Sequence, residues 1–190
     1  MRAATDRLAL GGLVGPAFFV ADWALLGATR PGYSPVDDAI SRLAERGAPR
    51  RHLMTGGFVA YGLGLVSSGA ALRRASTPGP AWLLSIGTGV ATFGVAAFPL
   101  GSPRSDRIHA VFAVLGYVGL AGLPMAVAPV QRAAGQRRPA RLSVLAGVAT
   151  AACLLASATI APAHGLTQRI GLTAGDTWVM LTAAGHLRRP

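Results

Sequence analysis

Two aspartates interrupt apolar runs of this chain, Asp22 in the first and Asp176 in the last, and a histidine, His109, opens the fourth. A carboxylate at the centre of a membrane-crossing helix costs about 2.5–3.5 kcal/mol on insertion scales. Such a residue turns toward other helices, where it is paired with arginine or protonated. Arg30 and Arg169 are the candidate partners. Asp106 precedes His109 by three residues, and Arg169, Thr173 and Asp176 follow one another at +4 and +3, so each group shares one helical face. His52, His109 and His164 each stand at the end of a different apolar run. Asp22, Arg30, Asp106, His109, His164, Arg169, Thr173 and Asp176 thus form a candidate polar pocket. It reads either as buried pairs that fix helix register or as the lining of a polar cavity.

Imidazoles and carboxylates of this kind bind zinc at about 2.0–2.2 Å, and zinc-bound water is a nucleophile at neutral pH. The chain lacks HxxxH and HExxH spacing, however, and one histidine per apolar run reads as a polar anchor at a membrane interface. No metal ligand is assigned and no cofactor is expected. No GxSxG or P-loop pattern occurs, and Ser34 and Ser41 have no evident histidine-and-acid framework along the sequence. Cys153 is the single cysteine, which excludes an intrachain disulfide and a CxxC centre.

The elements that must position these groups are six apolar segments, at about 8–29, 53–72, 80–100, 108–130, 142–163 and 167–187. Of the 190 residues 52% are hydrophobic and 13% charged, against about 25% charged in a soluble domain. Each segment is long enough for a helix to cross ~30 Å of hydrocarbon. Helices are required, because backbone groups in lipid must be satisfied within the segment. The sequence therefore specifies an all-α polytopic membrane bundle, six transmembrane helices in a single domain over 1–190. Pro16 and Pro124 lie inside segments and predict kinks. Gly56, Ala60, Gly64 and Ser68 recur every fourth residue, and Gly11 with Gly15 and Gly171 with Gly175 repeat the spacing. Small residues so placed predict close helix contacts.

The longest polar break, Arg30–Arg51, carries its own signals. Ser34 suits an N-cap, Pro35 the first helical position, and Asp37 and Asp38 the positive end of a helix dipole. Val36, Ile40, Leu43 and Ala44 give one apolar stripe, and Gly47 followed by Pro49 stops the helix. A short interfacial amphipathic helix over about 34–46 is expected, with Ser34, Asp37, Asp38, Ser41 and Arg42 as a candidate lid.

The net charge of +11 comes from 18 basic residues, all of them arginine. They cluster between apolar runs without interleaved aromatics, which argues against nucleic acid as a partner. Compact clusters at 73–74, 137–141 and 188–189 instead read as cytoplasmic retention signals. They place the chain as a multi-pass protein of the cytoplasmic membrane with both termini inside. The first apolar run reaches Ala28, well beyond the ~7–15 residues of a signal-peptide core, and reads as a span. Membrane lipids are the expected partners, along with a second copy or another membrane protein.

Several short motifs follow one another in a recognisable order. They are PGYS (Pro31–Ser34), an AIS-L segment (Ala39–Leu43), a G-x-P turn (Gly47–Pro49), Asp106 with His109, and G-x-x-Q-R followed by tryptophan (Gly165, Gln168, Arg169, Trp178). From about Leu8 to Leu187 the chain resembles the bacterial membrane family catalogued as domain of unknown function 998. The resemblance implies six spans and supplies no activity, substrate or catalytic residues.

Three functional readings arise from these residues. One is binding of a lipid headgroup or small amphiphile in an outward polar pocket, with Arg30 and Arg169 holding a phosphate. Another is a membrane hydrolase or lipid-modifying enzyme using aspartate and histidine. The last is a structural subunit assembled through its glycine seams.

Overall fold

The structure, a computed structural model, describes residues 2–75, 77–160 and 162–187, residues 2–4 by their backbone alone. Arg188 and Arg189 of the C-terminal arginine cluster lie outside the described residues. The six apolar segments are six helices: α1 (Arg2–Thr29), α2 (Arg51–Arg74), α3 (Ala81–Ala97), α4 (Pro103–Ala133), α5 (Arg137–Thr159) and α6 (His164–Leu187). Polar residues extend several of them beyond the apolar runs. α4 starts at Pro103, which occupies the first helical position, with Asp106 in the first turn. α5 begins in the arginine-rich stretch at Arg137.

Four helices, α1, α2, α4 and α5, are long and apolar enough to cross a membrane. α3 is as apolar but has 17 residues, a rise of about 26 Å. α6 is long enough at 24 residues but less hydrophobic, because Gln168, Arg169 and Asp176 are turned inward along it. Each helix packs on the next, and α6 also closes on α1, so the six form a ring. The surface is inverted relative to that of a soluble protein. Leu25, Val118, Leu145, Leu155 and Leu181 are each more than 60% exposed, while Ser85, Ser143, Thr150 and Asp176 are fully buried. Most of the buried polar groups are satisfied inside the bundle. Ser85 donates to the Leu65 carbonyl at 2.7 Å, and Trp178 Nε1 donates to Ser143 Oγ at 2.9 Å.

The small-residue spacing marks real seams, though not at every position. A Cβ added to Gly64 would lie 2.8 Å from the Cα of Gly15, so α1 and α2 meet backbone to backbone. Ser67 Oγ donates to the Leu8 carbonyl at 2.9 Å across the same seam. Gly171 packs against Leu154 and Cys153 of α5, and Gly175 against Leu120 of α4. Gly56, the first residue of the expected stripe, faces open space. Gly64→Leu is therefore expected to destabilise the fold by about 1–3 kcal/mol through overpacking. Gly56→Ala should instead leave stability unchanged or raise it by up to about 1 kcal/mol. Thermal melting in detergent checks the contrast; equal behaviour of the two variants would remove the seam.

Residues 30–50 cap one end of the ring, packing on α1, α2 and α6. The expected 34–46 helix is only partly formed. Ser34 does start a turn: Asp38 N–H donates to the Ser34 carbonyl at 2.7 Å, and Asp37 N–H to Ser34 Oγ at 3.2 Å. The chain then becomes extended at Ala39 (φ −62°, ψ 149°) and resumes as a 3-10 helix over Ile40–Ala44. Ile40, Leu43 and Ala44 are buried as the stripe requires, but Val36 is 45% exposed. The break has a tertiary cause. Ile40 N–H donates at 2.8 Å to Gln168 Oε1 of α6 instead of to a carbonyl in its own turn.

Candidate functional site

Arg169 holds the cap to α6. Its Nη1 donates to the carbonyls of Pro35 (2.7 Å), Asp38 (2.9 Å) and Gly165 (2.9 Å), and its Nη2 donates to the Tyr33 hydroxyl. The guanidinium also lies over the rings of Trp23 and Tyr33, at 5.3 and 5.5 Å. It is 6% exposed and has no carboxylate partner among the described residues. Five N–H groups in a planar fork suit it to several carbonyls at once. Burial pushes the Tyr33 phenol above its ordinary range, with Arg169 opposing, so Tyr33 keeps its proton at neutral pH. That hydroxyl in turn reaches the Ala39 carbonyl at 3.2 Å. Gly165 is required beneath this joint, because a Cβ there would collide with the Asp38 carbonyl.

Gln168, one residue earlier, links the cap to the ring interior. Besides accepting from Ile40 N–H, it donates through Nε2 to the Tyr117 hydroxyl of α4. Below lies a cavity of about 50 Å³. Ile40 and Ser41 of the cap form its roof, and Gln168, Tyr117 and Tyr61 bring polar groups to it. Phe19, Phe58, Val95, Phe112 and Leu172 supply apolar wall.

Asp176 is completely buried and accepts a 2.7 Å hydrogen bond from Tyr61 of α2 at Oδ1, while Oδ2 has no partner among the described residues. Asp22 sits against Gly57, its Oδ2 buried and likewise unpartnered. Neither carboxyl meets an arginine among the described residues. Arg30 instead bonds the Arg42 carbonyl and Glu45, the latter at 3.2 Å, and Arg42 pairs with Glu45 at 2.9 Å. The arginine partners expected for the two aspartates are thus engaged within the cap.

Asp106 and His109 share a helical face but not a task. Asp106 is exposed and caps its own helix, accepting from Gly101 N–H at 2.9 Å and Ser102 N–H at 3.3 Å. His109 is 6% exposed and turns inward. Its Nδ1 lies 2.9 Å from the Phe98 carbonyl, and its Nε2 lies 2.9 Å from Ser41 Oγ.

The segments that meet at this end are the ones the sequence marked: PGYS and AIS-L from the cap, Asp106 and His109 from α4, and G-x-x-Q-R from α6. Over residues 13–185 the chain matches the family described as Protein of unknown function (DUF998). The chain belongs to that family. No curated protein and no solved structure matches it. With its apolar helices, the family membership makes this an integral membrane protein.

The other candidates are dispersed around these segments. His164 is the half-buried first residue of α6, and Thr173 is half-buried on the same helix. Ser34 Oγ donates to Asp37 at 2.8 Å, and Asp37 Oδ1 accepts from Ala163 N–H at 3.3 Å, so these lid residues tie the cap's entry to α6. Among the described residues, no three of histidine, cysteine, aspartate and glutamate gather around a point where one metal ion would sit. Tyr33, Tyr61, Tyr117 and Gln168 are site residues that no catalytic or ligand-binding pattern in the sequence marks. Tyr33 falls within PGYS and Gln168 within the Q-R motif, which are the signals that could find them.

Proposed function

We propose that this protein binds a small amphiphile in the cavity beneath its cap. The observation that carries the reading is the cavity's composition: apolar walls from α1 to α4 and α6, with a few polar groups converging under a roof of cap residues. Ligand sites are typically lined in this way. At about 50 Å³ the space is far below the roughly 300–1,000 Å³ of a drug-sized site. It takes the end of a chain or a compact head, and larger ligands require the cap to shift. An uncharged head suits it better than a phosphate, since Arg30 and Arg169 already bond carbonyls and Glu45.

Filling the cavity tests this. Gly116 lines it, and a Cβ there would meet only Ala91, at 3.9 Å. Wild-type protein in mild detergent is expected to retain one dominant amphiphile by native mass spectrometry. Gly116→Leu should lose at least nine-tenths of it while melting normally. Equal retention by a folded variant would sink the reading.

The proposed setting is the cytoplasmic membrane, with the cap outside and both termini inside. Six helices return the chain to its starting side, and the arginine clusters at 73–74 and 137–141 lie at the end opposite the cap. A phosphatase reporter fused after Pro190 is expected to be silent; activity would invert the topology.

A further inference from the structure

We propose that Ser41 and His109 form a nucleophile–base pair that cleaves a carboxylic ester in the cavity. The inference rests on the amphiphile-binding reading and assigns the bound molecule a chemical class. Three observations carry it. Ser41 Oγ lies 2.9 Å from His109 Nε2, within the reach of a nucleophile and its base. His109 Nδ1 lies 2.9 Å from the Phe98 carbonyl, a group that only accepts. Nδ1 therefore carries the proton, Nε2 presents its lone pair, and the Ser41 hydroxyl donates to it. A backbone carbonyl thus fixes the tautomer, the task that an aspartate performs in a serine hydrolase triad. Ser41 also lines the cavity, so the pair stands beside space that a substrate can occupy.

Tyr117 supplies the remaining group. Its hydroxyl accepts from Gln168 Nε2, and among the described residues its own hydrogen has no acceptor. Tyr117 lines the same cavity as Ser41, and its O–H is assigned to the oxyanion that the attack would form. A simple tie between cap and α4 needs neither a cavity beside Ser41 nor an unengaged donor.

The chemistry balances without a co-reactant other than water. Ser41 Oγ bonds to the ester carbonyl carbon as His109 Nε2 takes the hydroxyl proton, and the carbonyl electron pair moves to its oxygen. Collapse breaks the carbon–alkoxy bond, and the leaving alcohol takes the proton from Nε2. Water then gives a proton to Nε2 and its oxygen to the acyl carbon. Ser41 departs and recovers that proton, leaving a carboxylic acid and an alcohol.

The test uses the full chain in mild detergent with an alkyl fluorophosphonate, read by peptide mass spectrometry. An adduct on Ser41 is expected in wild type, absent in Ser41→Ala and at least tenfold slower to form in His109→Gln. Hydrolysis of p-nitrophenyl butyrate should follow the same order. Folded wild-type protein with no adduct on Ser41 overturns the proposal. Should Ser41→Ala melt early, Ser41→Cys keeps the tie to His109. Its alkylation by iodoacetamide at residue 41, resolved from Cys153, should then be at least tenfold faster than in Ser41→Cys/His109→Gln, and equal rates overturn the pairing. Loss of the copurified amphiphile in Gly116→Leu, with Ser41 unlabelled in wild type, would retain binding and remove only the ester chemistry.

Discussion

Replacing Arg169 by leucine is expected to release the cap and lower stability by about 3–5 kcal/mol. The substitution removes donors to the Pro35, Asp38 and Gly165 carbonyls and to Tyr33, all made by a side chain that is 6% exposed. Hydrogen bonds from a charged group contribute about 1.5–3 kcal/mol each. The sum is an overestimate here, because carbonyls of the cap regain water once it lifts. Arg169→Lys should recover part of the loss, since an ammonium brings three donors but not the planar fork. Two measurements check this. Melting in detergent reports the whole bundle, and trypsin reports the cap through Arg42 and Arg46, both exposed on it. Faster cleavage at these sites in Arg169→Leu is expected even where the ring survives. Unchanged melting and cleavage would show that the guanidinium is dispensable to the joint.

The second large effect concerns Asp176 and runs opposite to a simple charge argument. Tyr61→Phe should destabilise by about 3 kcal/mol, whereas Asp176→Asn should cost less than about 1.5 kcal/mol. Among the described residues Tyr61 provides the only hydrogen bond to the fully buried carboxyl, at 2.7 Å, and Oδ2 already has none. Removing the hydroxyl strands the whole group away from water, which is the costly half of a broken pair. Asparagine keeps an acceptor oxygen in place for Tyr61 at nearly the same volume. Asp176→Leu should resemble Tyr61→Phe more than it resembles Asp176→Asn, because it leaves the phenol unsatisfied. Denaturant titration of the three variants gives the order, and a larger loss for Asp176→Asn than for Tyr61→Phe would contradict it.

The six helices were legible because lipid leaves so few alternatives. A run of about 20 apolar residues has one way to satisfy its backbone. The inward direction of Asp176 and Arg169 was legible for the same reason, since each is costly in hydrocarbon. Their partners were not. Tyr61 lies 115 residues before Asp176, and Ser41 lies 68 before His109, so neither pair leaves a local pattern. The cap shows the converse failure. Ser34, Asp37 and Asp38 do cap a turn, but a distant side chain takes Ile40 N–H and ends the helix that those residues begin. Gly56 falls off the seam because residues four apart turn about 40° further round a helix at each step, and its neighbour Gly57 takes the contact with Asp22 of α1 instead.

The joint between Arg30–Arg50 and α6 also sets an order of events during synthesis. The bonds from Gln168 and Arg169 reach back over 128 to 136 residues. At about 5–20 residues per second, the ribosome delivers those side chains roughly 6–27 s after the segment they grip. Through that interval the carbonyls of Pro35 and Asp38 and the Tyr33 hydroxyl must rely on water or on transient helpers. Only the arrival of the last helix completes the structure, so a nascent chain stalled before Gln168 would still carry an undocked, protease-sensitive loop.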